Sequence, residues 1–283
     1  MNVTIFGASG LLGKALVEEW NEDAIVALTS RDADLRSAEA VQRAVKRTRP
    51  DWIVLSAAYT DVDGCENNRD LAMAVNRDGA LNVAAAARAV GARLLFLSSD
   101  YVFDGKNKRP YETGEPRNPQ SVYGASKAEA EVRLLELPGC CIARTSWLFG
   151  IGGKCFPDTI LKLAASRPAL DVVNDQRGSP TYVVDLARAI IQLCRKNAEG
   201  IVHVTNAGDC TWFEFAQQIV MRAGLSTVVR PVSSEQMARP APRPAYSVLS
   251  AASLHNLGIE IPTWQNALDR YLKQRSTLSN QSA

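Results

Sequence analysis

Apolar residues in this chain come in short solid runs, and between the runs lie stretches of helical periodicity. The runs at 3–6, 24–28, 52–58, 93–98 and 140–145 lack the apolar–polar alternation of a strand with one face in water. They predict strands buried on both faces. Residues 14–20, 37–46, 70–90 and 123–135 carry apolar positions at helical spacing. Strand and helix in regular alternation predict a parallel sheet covered by helices on both sides.

Past about residue 147 the rhythm loosens. Helices are expected at 156–165, 183–194, 213–222 and 265–274, and strands at 170–173 and 201–205. Prolines at 240, 242 and 244 remove alternate backbone donors, so that segment is expected to be irregular. The polar tail from residue 276 is expected to fray. The expected fold class is α/β, a Rossmann-type doubly wound parallel sheet with a smaller C-terminal substrate-binding lobe. Residues 1–147 and about 170–205 are assigned to the cofactor-binding body, and about 148–169 and 206–283 to the lobe.

Composition narrows the class. The 283 residues are 46% hydrophobic, enough for a full core, and 32 basic against 30 acidic side chains leave a formal charge of +2. That balance favours neither a nucleic-acid nor a membrane partner. The chain opens Met1-Asn2-Val3-Thr4-Ile5-Phe6 without a basic stretch and long apolar core, so a cytoplasmic protein is expected. Six cysteines form no Cys-x-x-Cys pair and there are only two histidines, His203 and His255, so no metal site is expected.

Three features carry chemistry. Gly7-Ala8-Ser9-Gly10-Leu11-Leu12-Gly13 joins the first strand to the first helix. There Gly7 permits a tight turn, Gly10 lets backbone approach a pyrophosphate, and Gly13 allows close helix packing. Tyr123 and Lys127 stand four residues apart on one helical face. A phenol with an ordinary pKa of about 10 transfers protons poorly near neutrality unless a cation stabilises its phenolate, and Lys127 can supply that charge. Ser99 ends a predicted strand, where its hydroxyl can donate to a substrate carbonyl. Taken singly, each has a structural reading: a turn, a surface pair, a cap. In this order they point to a dehydrogenase site with Ser99, Tyr123 and Lys127 as its catalytic set. After the second strand, Ser30 and Arg31 suit the 2′-phosphate of NADPH, while Asp32 suits the 2′-hydroxyl of NADH. NADPH is the expected cofactor, with NADH the alternative.

Several longer stretches carry a family resemblance. They are Ser56-Ala57-Ala58-Tyr59-Thr60-Asp61-Val62-Asp63, Ala74-Val75-Asn76, Ser98-Ser99-Asp100-Tyr101-Val102-Phe103-Asp104-Gly105 and Arg144-Thr145-Ser146-Trp147-Leu148-Phe149-Gly150. Asp175-Gln176-Arg177-Gly178-Ser179-Pro180-Thr181-Tyr182 and Arg243-Pro244-Ala245-Tyr246-Ser247-Val248-Leu249 complete the set. With these the chain resembles extended short-chain dehydrogenases/reductases over nearly its whole length, and within them the dTDP-4-dehydrorhamnose reductase family. The resemblance implies NADPH-dependent reduction of the 4-keto group of dTDP-4-dehydro-L-rhamnose to dTDP-L-rhamnose. It also places Gly7, Gly10, Leu11, Leu12 and Gly13 at the pyrophosphate, Asp34 and Leu35 at the adenine, and Ala57, Ala58 and Tyr59 at the nearby ribose and phosphate. Asn76, Tyr123 and Lys127 join them as cofactor contacts, while Ser99, Asp100, Tyr101, Trp147 and Arg243 are expected around the nucleotide-sugar. The family often has threonine where this chain has Ser99, and the hydroxyl is kept. Three other readings are compatible with the same residues. They are a reductase for another nucleotide-linked keto-deoxysugar, an epimerase recycling NAD, and a non-catalytic regulatory subunit like the methionine adenosyltransferase beta subunit. A homodimer is the candidate assembly.

Overall fold

The computed structural model of the protein describes residues 1–281, with side chains described as far as Leu278. Six strands form one parallel sheet in the spatial order Gly200–His203, Cys140–Thr145, Arg93–Ser99, Trp52–Leu55, Asn2–Phe6, Ala24–Leu28. The order reverses between Asn2–Phe6 and Trp52–Leu55, where the chain first winds to one side and then to the other. At such a switch point the strands' carboxyl ends leave a crevice.

The solid apolar runs are explained by the two faces they serve. Leu95 and Leu97 join Val3, Ile5 and Val54 beneath the helices Leu11–Glu19 and Val183–Arg195. Leu94 and Phe96, on the opposite pleat, join Phe6, Ile53 and Leu55 beneath Ala38–Thr48, Gly79–Val90 and Val122–Leu134. A third cluster of buried residues gathers around Phe149, Ile160, Leu170, Phe215 and Tyr271, apart from the two clusters on the sheet faces. There Ala169–Val173 pairs with Val228–Val232 outside the six-stranded sheet. The chain later returns to the main body, where Leu254 and Ile259 pack in the first cluster.

Four sequence expectations change in detail. Residues 56–58 leave the sheet as loop, so the third strand is Trp52–Leu55. The helix expected over 70–90 is Arg69–Met73, a π-helical turn Ala74–Asp78, and Gly79–Val90. A short helix, Val62–Asn67, forms where none was expected, capped by Asp61 accepting the Gly64 amide at 2.9 Å. The tail expected to fray from residue 276 is helical as far as Gln281, and residues 282–283 lie outside the described residues. Among the described residues no helix is long and apolar enough to cross a membrane, and no group of three metal-ligating side chains occurs.

Candidate active site

The crevice at the switch point is a cavity of about 530 Å³. One wall is the glycine turn. Gly7 sits at φ +91°, and its amide and that of Ala8 donate to Leu28 O at 2.9 and 3.0 Å, tying the turn to the neighbouring strand. A Cβ on Gly7 would lie 2.5 Å from Ala57 N, and one on Gly13 only 2.0 Å from Gly7 O, so both positions exclude any side chain. Gly10 precedes the helix Leu11–Glu19 without a side-chain cap. The opening turn therefore presents unspent amides and a positive dipole end to the cavity, a cradle suited to a pyrophosphate.

The opposite wall comes from the central strand and the helix Val122–Leu134. Ser121 starts that helix by accepting the Gly124 amide at 3.1 Å. A Cβ on Gly124 would lie 2.2 Å from Tyr101 O, so the glycine lets the helix rest directly on the turn that follows Ser99. Ser99, Asp100, Tyr101, Tyr123 and Lys127 consequently share the cavity. Burial pushes the Tyr123 phenol well above its ordinary value, partly opposed by a hydrogen bond from Ser99. Lys127 is 2% exposed, donates to Leu97 O at 2.8 Å and lies over the Phe96 ring at 4.6 Å. Burial pulls its ammonium down to about 7, against the attraction of Glu131 one turn further along.

Glu131 anchors this helix from behind. Its carboxylate holds Arg144 by two bonds of 2.9 and 2.6 Å, Arg117 at 2.6 Å and Ser98 at 2.5 Å. Burial pushes the Glu131 carboxyl up, but Arg144, Arg117 and Ser98 outweigh it and hold the group below its usual range. The Arg144 guanidinium also meets His203 Nε2 at 3.3 Å. Burial, then the Arg144 charge, depresses that imidazole to about 3, so His203 is a neutral core residue.

The expected residues divide into those the fold gathers and those it does not. Gly7, Gly10, Leu11, Leu12 and Gly13 line the cavity, as do Ser30, Ala57, Ala58 and Trp147. Arg31, Asp34, Leu35, Tyr59, Asn76 and Arg243 do not. Asp34 is tied to Arg36 at 2.6 Å, and Leu35 is buried with the second sheet face. Asn76 is a clamp: it accepts the Tyr59 amide at 2.7 Å and donates to Tyr59 O at 3.1 Å and Ser126 Oγ at 2.9 Å. Arg243 spends its guanidinium on Asp63 at 3.0 and 2.8 Å and borders a second cavity of about 630 Å³. Tyr101 lines both cavities. Trp147 takes a left-handed backbone, φ +47°, and stacks on Trp212 at 3.5 Å. Lys154 and Thr60 are lining residues that the sequence reading passed over. Lys154 belongs to a loop whose Gly152 carbonyl accepts Lys14 Nζ at 2.6 Å, across a separation of 138 residues that no local pattern reveals.

A doubly wound sheet with a glycine turn facing Ser, Tyr and Lys across one crevice defines an extended short-chain dehydrogenase/reductase. The comparisons narrow this further. The chain matches the RmlD substrate binding domain family over residues 1–277, and it belongs to that family. It is 40% identical over 278 residues to the spore coat polysaccharide biosynthesis protein SpsK of Bacillus subtilis (strain 168), covering 97% of this chain and 98% of the other. It is 41% identical over 275 residues to dTDP-4-dehydrorhamnose reductase of Streptomyces griseus, covering 93% and 90%. The crystal structure of dTDP-4-dehydrorhamnose reductase from Bacillus anthracis str. Ames in complex with NADP superposes with a TM-score of 0.94 at 41% identity, covering 96% and 98%.

Proposed function

We propose that this chain reduces the 4-keto group of dTDP-4-dehydro-L-rhamnose with NADPH, forming dTDP-L-rhamnose. The observation that carries the reading is the meeting of Ser99, Tyr123 and Lys127 on one wall, opposite a glycine cradle, in a chain of this family. NADPH supplies the hydride. Tyr123 hydrogen-bonds the carbonyl oxygen and gives it a proton as alkoxide character develops, and Ser99 holds the same oxygen. Lys127 eases Tyr123 toward the phenolate by its charge.

The residues fit NADPH better than NADH. Asp32 turns its carboxylate back on its own turn, accepting the Thr29 amide and hydroxyl at 2.8 Å each. The backbone bond first, then the hydroxyl, lowers its pKa, so this acceptor is spent locally. Arg31 beside it has no carboxylate partner among the described residues and is available to a 2′-phosphate. For the nucleotide-sugar, the second cavity brings aromatic side chains, Trp212, Phe156 and Tyr101, to the base and sugar, and the exposed Arg239 to a diphosphate. We place cofactor binding in the body built on the six-stranded sheet, and sugar recognition in the lobe formed around Phe149 and Phe215. All six cysteines are buried free thiols, which supports a reducing, cytoplasmic setting.

Loss of reduced-nicotinamide absorbance on mixing protein, NADPH and dTDP-4-dehydro-L-rhamnose tests the reading. Tyr123→Phe is expected to lower turnover by about 10²-fold or more while leaving NADPH affinity nearly unchanged. Wild-type protein that is folded yet consumes neither NADPH nor NADH would turn attention to another nucleotide-sugar or to a regulatory role.

A further inference from the structure

Asp100 follows Ser99 at the carboxyl end of the central strand and opens a single 3-10 turn, Asp100–Val102. It is 1% exposed. Its Oδ1 accepts the Ser99 hydroxyl at 2.9 Å, while its Oδ2 has no partner in full hydrogen-bond geometry and only the Ser247 hydroxyl nearby. The titratable and charged groups around it are Tyr101 on its own turn, Tyr123 and Lys127 on the facing helix, and Arg243, Arg239 and Asp63 beyond the Tyr101 ring. Arg243 and Arg239 are both drawn to Asp63, and among the described residues no cation pairs with Asp100. A buried carboxylate with no counter-charge is costly, whereas the neutral acid is not. Burial accordingly pushes the Asp100 carboxyl up to about 6, with the Ser247 and Ser99 hydroxyls drawing it partway back.

Ser99 joins this acid to the phenol. Its hydroxyl donates to Asp100 at 2.9 Å, accepts the Tyr101 amide at 3.2 Å, and shares the cavity with the Tyr123 phenol, whose pKa it draws down. A hydroxyl carries one proton and cannot donate in two directions at once. With Asp100 ionised, the carboxylate holds that proton. With Asp100 protonated, the carboxyl donates to Ser99, and the Ser99 proton is free to point toward Tyr123.

We propose that Asp100 is the proton reservoir of this site, restoring the Tyr123 phenol through Ser99 after each turnover. The proposal rests on the reductase reading above. Once Tyr123 has given its proton to the reduced carbonyl oxygen, a phenolate remains. The Ser99 O–H bond breaks as its proton forms the Tyr123 O–H. The Asp100 O–H bond breaks as its proton rebuilds the Ser99 hydroxyl. Negative charge passes from phenolate to carboxylate, a downhill transfer because the carboxylic acid is the stronger acid by several pKa units. When product leaves, Asp100 takes back one proton from hydronium or buffer acid in the solvent, the one H⁺ that the reduction consumes beside NADPH, and no electrons move in these steps.

Asp100→Asn keeps the shape and still donates to Ser99, but it has no proton to give. Its kcat is expected to fall at least about tenfold, with KM for the nucleotide-sugar and Kd for NADPH changed by less than about threefold. Because the protonated acid is the working form, wild-type kcat is expected to decline as pH rises through the Asp100 pKa. That limb should vanish in the variant. An unchanged kcat and limb, or a loss carried by KM alone, overturns the relay and leaves the reductase reading intact. A readout independent of turnover is the carboxyl infrared band, taken as the difference between wild type and Asp100→Asn. The protonated acid is expected at about pH 5, above the range of an ordinary aspartate. A group already ionised there overturns the relay whatever the protein reduces. Absence of wild-type turnover defeats the reductase reading instead, and the infrared titration then decides the state of Asp100 by itself.

Discussion

Lys127 is 2% exposed, has Leu97 O as its bonded acceptor and lies over an aromatic ring, and so gives up most of its hydration. Burial is the larger influence on its ammonium and Glu131 the smaller, which leaves it at about 7. The unfolded chain keeps that proton up to about pH 10.4, so between about 7 and 10 folding releases it. Over that window the unfolded state binds more protons, and the folded state gains stability as pH rises. A bound dinucleotide brings phosphate charge into the same cavity and favours the ammonium. NADPH binding near pH 8 is therefore expected to take up as much as about one proton, and Lys127→Met should abolish the uptake. Calorimetry in two buffers of different ionisation enthalpy measures it, and equal heats in both would count against the account. At this scale much was legible. Gly7, Tyr123 and Lys127 sit in one strand–turn–helix or on one helix face, where spacing along the chain dictates spacing in space. Lys154 and Thr60 reach the cavity from loops, and no periodicity places them.

The helix expected across residues 70–90 shows where element reading stops. Its apolar period persists through the whole stretch, yet the turn Ala74–Asp78 is π-helical. A π turn adds a residue to the helical repeat and is common where a side chain must be re-aimed. Here it presents Asn76 to the Tyr59 backbone and to Ser126, whose own hydroxyl donates to Tyr123 O at 2.7 Å. Asn76 thereby fixes the loop after Trp52–Leu55 against the helix that carries Tyr123 and Lys127. Asn76→Ala leaves a buried backbone amide and carbonyl unpaired and is expected to cost about 1–3 kcal/mol. Because Ala57 and Ala58 line the cavity next to that loop, NADPH affinity should fall with stability. Urea denaturation and a cofactor titration check the two effects, and a variant as stable as wild type would rule out the clamp. The strand Val228–Val232 was missed for the opposite reason. It is largely exposed, contains Pro231 and pairs on one side only, so it carries neither a solid apolar run nor alternation.

At the scale of the whole molecule, the C-terminal third is fastened to the sheet body by contacts between residues remote in the chain. The irregular segment bearing Arg239 and Arg243 follows the strand Val228–Val232 and reaches the helix Val62–Asn67, where Arg243 grips Asp63 across 180 residues. The strap is held further along by the Tyr246 amide, donating to Gly105 O at 3.1 Å. Its prolines announce irregular structure in the sequence, but where the strap lands depends on the assembled sheet. Arg243 is expected at the substrate; in the structure its guanidinium pairs with Asp63, and the residue borders the second cavity. The Arg243 bond, more than any other influence, holds the Asp63 carboxyl below its ordinary value. The stability it contributes is therefore present above about pH 4 and is lost as pH falls through the lowered value. Asp63 is 31% exposed, so solvent screening keeps that contribution small, about 0–1 kcal/mol. Asp63→Asn should accordingly leave thermal stability and NADPH affinity almost unchanged. It frees the strap over the second cavity, so KM for the nucleotide-sugar is expected to rise by about threefold to tenfold, with kcat less affected. Steady-state kinetics with each ligand varied in turn separates the two sites. A rise in the NADPH constant equal to that for the sugar would mean that the strap serves the fold at large and not the second cavity.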